Sequence, residues 1–367
     1  MRIVIGSYVV RFPLGGYLSW VGQWLHGFAR LGHEVTLVER AGWRDACFDP
    51  RTGAMGDDCA YGVATVTAFL ERLGLSRFGF EDADGRTYGL TATGAFAGAD
   101  LFVDMGAHGS FAEEAEQAAV RILVDGEPGY TQMKGVAADY DAYYTVGLNV
   151  GTSRSTVPTA GVEWRPIFDP VALELYAPLP PAGDAYTTVM SWQAHGRLEH
   201  DGRVYGQKDL ELPKFLDLPG RVRPPLELAI AGKHVPRAEL EGAGWRLRDA
   251  HAASATFDAW RDYIAGSRGE LAVCKQVFVA TWSGWFSDRS ACYLASGRPV
   301  IMQDTGFSEH LPCGEGLHAF STLDEAAAAI EAVEADYRRN ALAARRIAEE
   351  YLATDVVLPR LVSELGF

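Results

Sequence analysis

Four segments of this chain carry side chains suited to gripping a phosphate or moving a proton. The run Ser283-Gly284-Trp285-Phe286-Ser287-Asp288-Arg289-Ser290 leads into a helical pattern. Free N–H groups at a helix start, the Ser287 and Ser290 hydroxyls and the Arg289 guanidinium suit a phosphate. Asp288 suits that role only as a helix cap or as the partner of a sugar hydroxyl. An ordinary Ser/Asp cap with a salt-bridging arginine fits the same residues. Lys208, in Tyr205-Gly206-Gln207-Lys208-Asp209, is one of only five lysines, and a solvated lysine is the plain alternative. Lys275 and Arg268 are weaker candidates of the same kind. Gly15 and Gly16 follow an apolar run and would let backbone amides approach a ligand, although paired glycines equally suit a turn. His108 titrates near neutrality and could accept a proton from an acceptor hydroxyl, with Asp104, Asp125 and Glu127 as alternative bases or orienting groups.

These residues need a scaffold, and the chain reads as alternating strands and helices, the pattern of parallel sheets covered by helices. Ile3 to Ile5 is a strand, the loop Gly6 to Gly16 follows, and Ser19 is placed to cap a helix bearing Val21, Trp24, Leu25, Phe28 and Leu31. Gly32 ends that helix and Glu34 to Val38 forms the next strand. Leu101 to Val103, Arg121 to Val124 and Tyr143 to Val146 continue the first half. Prolines 166, 170, 178, 180 and 181 mark an extended connection. Thr187 to Met190, Leu226 to Ala231 and Pro299 to Gln303 are strands of the second half. A helix over Asp288 to Ser296 stops at Gly297, Thr322 with Glu325 has capping-box spacing, and a further helix runs from about 338 to 352. The expected division is 1–182, 183–350, and 351–367 packing back toward the first part. No GxGxxG follows the first strand, so a nicotinamide or flavin enzyme loses its main support.

Composition bounds the partners. The 367 residues carry 48 acidic against 33 basic side chains, a net charge of −15, and 48% are hydrophobic. That size suggests two domains, and the acidic balance argues against a nucleic acid or an anionic membrane surface. Five cysteines without CxxC spacing suggest neither a zinc site nor a disulfide framework. No leader pattern or apolar stretch of spanning length is evident, so a cytoplasmic protein is expected.

Taken together, these segments resemble bacterial glycosyltransferases of the GT-B fold, in particular the large retaining family that uses nucleotide-activated sugars. Gly15-Gly16 and Leu31-Gly32-His33-Glu34-Val35-Thr36-Leu37-Val38 are similar to that family's strand, GG loop, helix and GHEV opening. Asp100 to Gly109 resembles its Asp-Val-Val-His-Ala-His-Gly strand end, with His108 on the second histidine. Leu294-Ala295-Ser296-Gly297-Arg298-Pro299-Val300-Ile301 resembles the Gly-x-Pro-Val-Ile segment beside the donor, and Asp304-Thr305-Gly306 the loop after it. The resemblance implies an α/β protein with two Rossmann-like domains whose parallel sheets face each other across a cleft. It implies a nucleoside diphosphate sugar as co-substrate, with no further cofactor and no metal. The donor would be held by Gly15, Gly16, Lys208, Ser287, Asp288, Arg289, Ser290, Asp304 and Gly306; His108, Asp104 and Glu127 would serve the acceptor. One departure stands out. The two family glutamates before Gly-x-Pro-Val-Ile fall on Gly284 and Cys292, so their sugar and ribose contacts must come from elsewhere. An epimerase or hydrolase of the same fold, and a non-catalytic sugar-binding or scaffold protein, remain alternatives. The donor, the acceptor, the stereochemical course and the oligomeric state stay open.

Overall fold

The computed structural model describes residues 1–106, 109–136, 139–178, 180 and 183–367. Two sheets form the scaffold. The first is built from β1 (Arg2–Gly6), β2 (Glu34–Arg40), β3 (Phe78–Glu81), β4 (Thr87–Gly89), β5 (Leu101–Asp104), β6 (Val120–Asp125), β7 (Ala142–Thr145) and β8 (Trp164–Pro166). Their order is β8-β7-β6-β5-β1-β2-β3-β4, parallel except for the β3–β4 pair. The second contains β9 (Tyr186–Ser191), β10 (Leu226–Ala231), β11 (Arg246–Asp249), β12 (Gly269–Ala272), β13 (Val300–Gln303) and β14 (Leu317–Phe320). It is wholly parallel, in the order β11-β10-β9-β12-β13-β14. In both sheets the strand order reverses direction beside the first strand, which opens a crevice at the carboxyl ends of the strands.

Strands buried on both faces need continuous apolar runs, and β1 supplies Ile3, Val4 and Ile5, each no more than 1% exposed. The helix Gly15–Arg30 covers them with Leu18, Val21, Leu25 and Phe28. It begins at Gly15 behind Leu14, four residues before the cap expected at Ser19. Ser19 instead lies buried within the helix and shares a 2.6 Å hydrogen bond with the Tyr176 hydroxyl. Gly32 and Gly297 do take positive φ just past their helices, where a side chain would be strained. The capping box at Thr322 and Glu325 is formed.

The proline-rich stretch is less extended than its composition suggests. Pro166 closes β8, and Val171 pairs with Ala353 in an isolated parallel bridge. Residues 181 and 182, where the sequence places the boundary, lie outside the described residues. The helix Thr354–Glu364 packs on the helix Gly15–Arg30: a Cβ on Gly27 would come within 2.6 Å of Leu358 Cδ1 and 2.7 Å of Thr354 Cγ2. One apolar cluster joins both sheets through Trp24, Phe257, Trp260, Phe286 and Cys292.

Candidate active site in the cleft

On the second-half wall, Lys208 opens a short 3-10 turn, Lys208–Leu210, and is 5% exposed. Its ammonium makes no hydrogen bond or ion pair with a described residue. Burial, and then the neighbouring Arg289 charge, push its pKa down to about 7. Arg289, on the helix Asp288–Ala295, gives its Nε to Glu270 on β12 and its Nη1 to the Val189 carbonyl at 3.0 Å. Its Nη2 is buried with no hydrogen-bond partner, as is Glu270 Oε2. Two cations therefore lie close enough to feel each other's charge, one of them with an unmet donor, an arrangement that suits an added anion.

The flanking residues divide. Ser287 is buried beside Asp288, 3.5 Å from its Oδ1. Asp288 is half-buried, and burial raises its pKa against the pull of Arg289. Ser290 contradicts the expected donor contact: it points into the core, with Oγ 3.7 Å from Met302 Sδ. Asp304 is engaged by its own loop. Its two oxygens accept from Gly306 N at 2.8 Å and Ser308 Oγ at 2.6 Å, fixing the loop after β13. Gly306 takes φ +96° there, and an added Cβ would meet Asn149 and Trp282. Trp282 and Trp285 are packing residues: Trp285 lies 4.6 Å from Phe278, and Trp282 faces Glu309 and Asn149.

Gly15 and Gly16 lie where the two halves meet. A Cβ on Gly15 would sit 2.2 Å from the Thr256 carbonyl and 2.8 Å from Trp260 Cβ, and Gly16 lies against the same indole. Their small size admits the close approach of Thr256 and the helix Phe257–Gly266 from the second half.

On the first-half wall, Asp104 is fully buried and accepts from Gly106 N, Gly109 N and the Tyr140 hydroxyl at 3.0, 3.1 and 2.6 Å. A carboxylate so engaged holds a loop rather than taking a proton from a substrate. His108 lies outside the described residues. Asp125 does the same work one strand over, accepting from Thr131, Gln132, Thr145 and the Glu127 amide. Glu127 faces the cleft, where both its oxygens meet Lys275 Nζ from the opposite half.

Further contacts close the two halves together. The Tyr130 hydroxyl accepts from Gln207, the residue before Lys208. The Asn149 amide donates to Ser283 O at 3.0 Å, His310 Nε2 lies 2.8 Å from Asn149 Oδ1, and Gly147 bridges Trp285. Sequence reasoning missed Asp169. It is 8% exposed, and its Oδ1 accepts from Trp20 Nε1 at 2.9 Å and Trp24 Nε1 at 3.4 Å. Only the four-residue spacing of the two tryptophans hinted at a shared partner.

No family model matches the sequence, and no curated protein matches it significantly. Solved structures do match over the whole chain. HepE from Anabaena in complex with UDP-glucose is 12% identical at a TM-score of 0.58, covering 100% of this chain and 99% of that one. An alpha-glucosyltransferase bound to UDP and a 13-mer DNA is 9% identical at 0.61, with coverage of 100% and 99%. Sucrose-phosphate synthase from Thermosynechococcus elongatus is 13% identical at 0.54, again covering 100% and 99%. The fold is therefore GT-B, with two Rossmann-like parallel sheets facing a cleft. At these identities the likeness is one of architecture. Among the described residues no helix is long and apolar enough to cross a membrane, and no group of three acidic, histidine or cysteine side chains is placed to hold a metal.

Proposed function

We propose that this protein is a glycosyltransferase that moves a hexose from a nucleoside diphosphate sugar to an acceptor held against the first sheet. The observation that carries it is the pair of buried cations, Lys208 and Arg289, the latter with an unmet donor, on the cleft wall of a GT-B fold. The leaving nucleoside diphosphate gains negative charge as the glycosidic bond breaks, and positive groups already in place stabilise that charge without reorganising. Lys208 answers it by holding a full proton, and Arg289 Nη2 by the donor it has left over. Amides at the start of the helix Asp288–Ala295 and the Ser287 hydroxyl add neutral donors. Asp288 serves a sugar hydroxyl, because a second anion beside the diphosphate would be repelled.

In this scheme residues 1–182 form the acceptor side, 183–350 the donor side, and 351–367 tie back onto the first. His108 is the residue to test for acceptor activation. Solved GT-B structures with UDP or UDP-glucose bound support the donor class. The test is thermal stabilisation by UDP, GDP, dTDP and their glucose conjugates, followed by assay of sugar release. Stabilisation by one nucleotide family that disappears in Lys208→Ala is the expected result. If no nucleotide stabilises the protein and no sugar is released, the proposal is wrong.

A further inference from the structure

Four aromatic rings stand where the loop after β1 enters the helix Gly15–Arg30. Tyr8 lies 5.2 Å from Tyr17 and 5.8 Å from Trp20, and Phe12 lies 6.1 Å from Tyr17. Tyr17 is 37% exposed, so the cluster opens to solvent. Carboxylates reach it from both halves: Glu127 and Asp288 lie close enough for their charges to raise the pKa of Tyr8 and Tyr17, after the larger effect of burial. Behind Trp20 stands Asp169, over nine-tenths buried. Its Oδ1 holds the two indole N–H groups, and its Oδ2 accepts nothing from a described residue.

The charges around this cluster do not balance. Glu127 is met by Lys275, and Arg289, the cation beside Asp288, has its Nε turned to Glu270. Among the described residues, no lysine, arginine or histidine lies within ion-pair distance of Asp169 or Asp288. A buried carboxylate without a counter-charge is costly, and it draws in a proton or a cation. Burial, and then Asp288, hold the Asp169 pKa up to about 7. Aromatic faces next to it favour an organic cation, which their π-electrons attract.

We propose that this cluster lines the acceptor subsite and that the acceptor presents a protonated amine to Asp169 past the edge of Trp20, with Tyr8 and Tyr17 flanking its path. The amine is a handle and not the reacting group: it seats the acceptor with a hydroxyl toward Asp288 and the donor. The inference rests on the transfer reaction proposed above.

The experiment compares trans-4-aminocyclohexanol, protonated at neutral pH, with neutral cyclohexane-1,4-diol. Binding is measured by ligand-observed NMR with and without UDP-glucose. The amine should bind at least tenfold more tightly than the diol. Asp169→Asn, which keeps an oxygen for the indoles, should abolish that preference, and Tyr17→Ala at the exposed ring should weaken amine binding severalfold. Equal binding of the two probes, no amine binding, or a preference unchanged in Asp169→Asn overturns the inference. UDP-glucose binding is read in the same samples. Its presence without an amine preference removes only this inference; its absence removes the donor reading, while the amine preference is still measured in the nucleotide-free protein.

Discussion

Lys275 spans the cleft to hold both carboxylate oxygens of Glu127, tying the strand end of one sheet to the strand end of the other. The lysine side chain is 13% exposed and the glutamate 40%, so water screens the pair from one side. Such ion pairs stabilise by about 1 kcal/mol or less. A double-mutant cycle with Lys275→Ala and Glu127→Gln, read by urea unfolding, should give a coupling within that range. A coupling above about 3 kcal/mol would mean the pair behaves as a buried one.

Arg289 and Glu270 form the contrasting case, with side chains 10% and 0% exposed. Removing one member of a buried pair strands the other, at a typical cost of about 3–5 kcal/mol. Arg289→Ala should therefore lower stability by about that amount and weaken nucleotide binding in the fraction that stays folded. Unfolding curves and nucleotide titrations on the same preparation separate the two effects. Unchanged affinity in the folded fraction would remove Arg289 from the donor site.

Gly15→Ala tests what the glycine pair is for. The added methyl would press on the Thr256 carbonyl and on Trp260, and overpacking of this kind costs about 1–3 kcal/mol. The substitution should lower the melting temperature, while nucleotide affinity stays within about twofold of the parent, since small effects on an intact site fall below 0.5 kcal/mol. A stable variant that no longer binds nucleotide would restore the phosphate-loop role.

Lys208 sets the direction of the pH response. Its folded pKa of about 7 lies below the ordinary 10.5, so between those values the unfolded chain carries a proton that the folded chain lacks. Its contribution to stability therefore rises with pH across that window, and the cost of burying its charge is fully present below about pH 7. Binding runs the other way. A diphosphate favours the protonated form, so affinity for UDP-glucose should fall as pH rises from 7 to 9, by up to about tenfold per unit. Calorimetric titration across that range should show this slope in the parent and its loss in Lys208→Gln. A flat profile in the parent would mean that Lys208 does not face the phosphates.

The alternating elements were legible because each strand is a short apolar run closed by a glycine, proline or acidic residue. Leu226–Ala231 and the helix stop at Gly297 follow that rule closely. Strands such as Gly269–Ala272 and Leu317–Phe320 were missed because Glu270 and His318 interrupt the apolar run that made a strand of equal length, Val300–Gln303, legible. At the site, residue type was informative and partner was not. A glycine pair announces close approach without naming what approaches, and here Trp260 does so from far along the chain. Asp104 and Asp304 have the placement of catalytic acids, but donors from their own loops fill their oxygens. Ser290 sits one helical step from Arg289 and so faces the sheet. Cys292, on the second glutamate position of the resembling family, lies 3.6 Å from Ser19 in the seam between the halves, where no ribose could reach it.

The helix Thr354–Glu364 covers Gly27 on the helix Gly15–Arg30, although 324 positions separate Arg30 from Thr354. A ribosome adding roughly 5–20 residues per second takes on the order of tens of seconds to make that interval. Throughout it, the nascent first sheet waits with one apolar flank uncovered. The first layer begun is among the last completed.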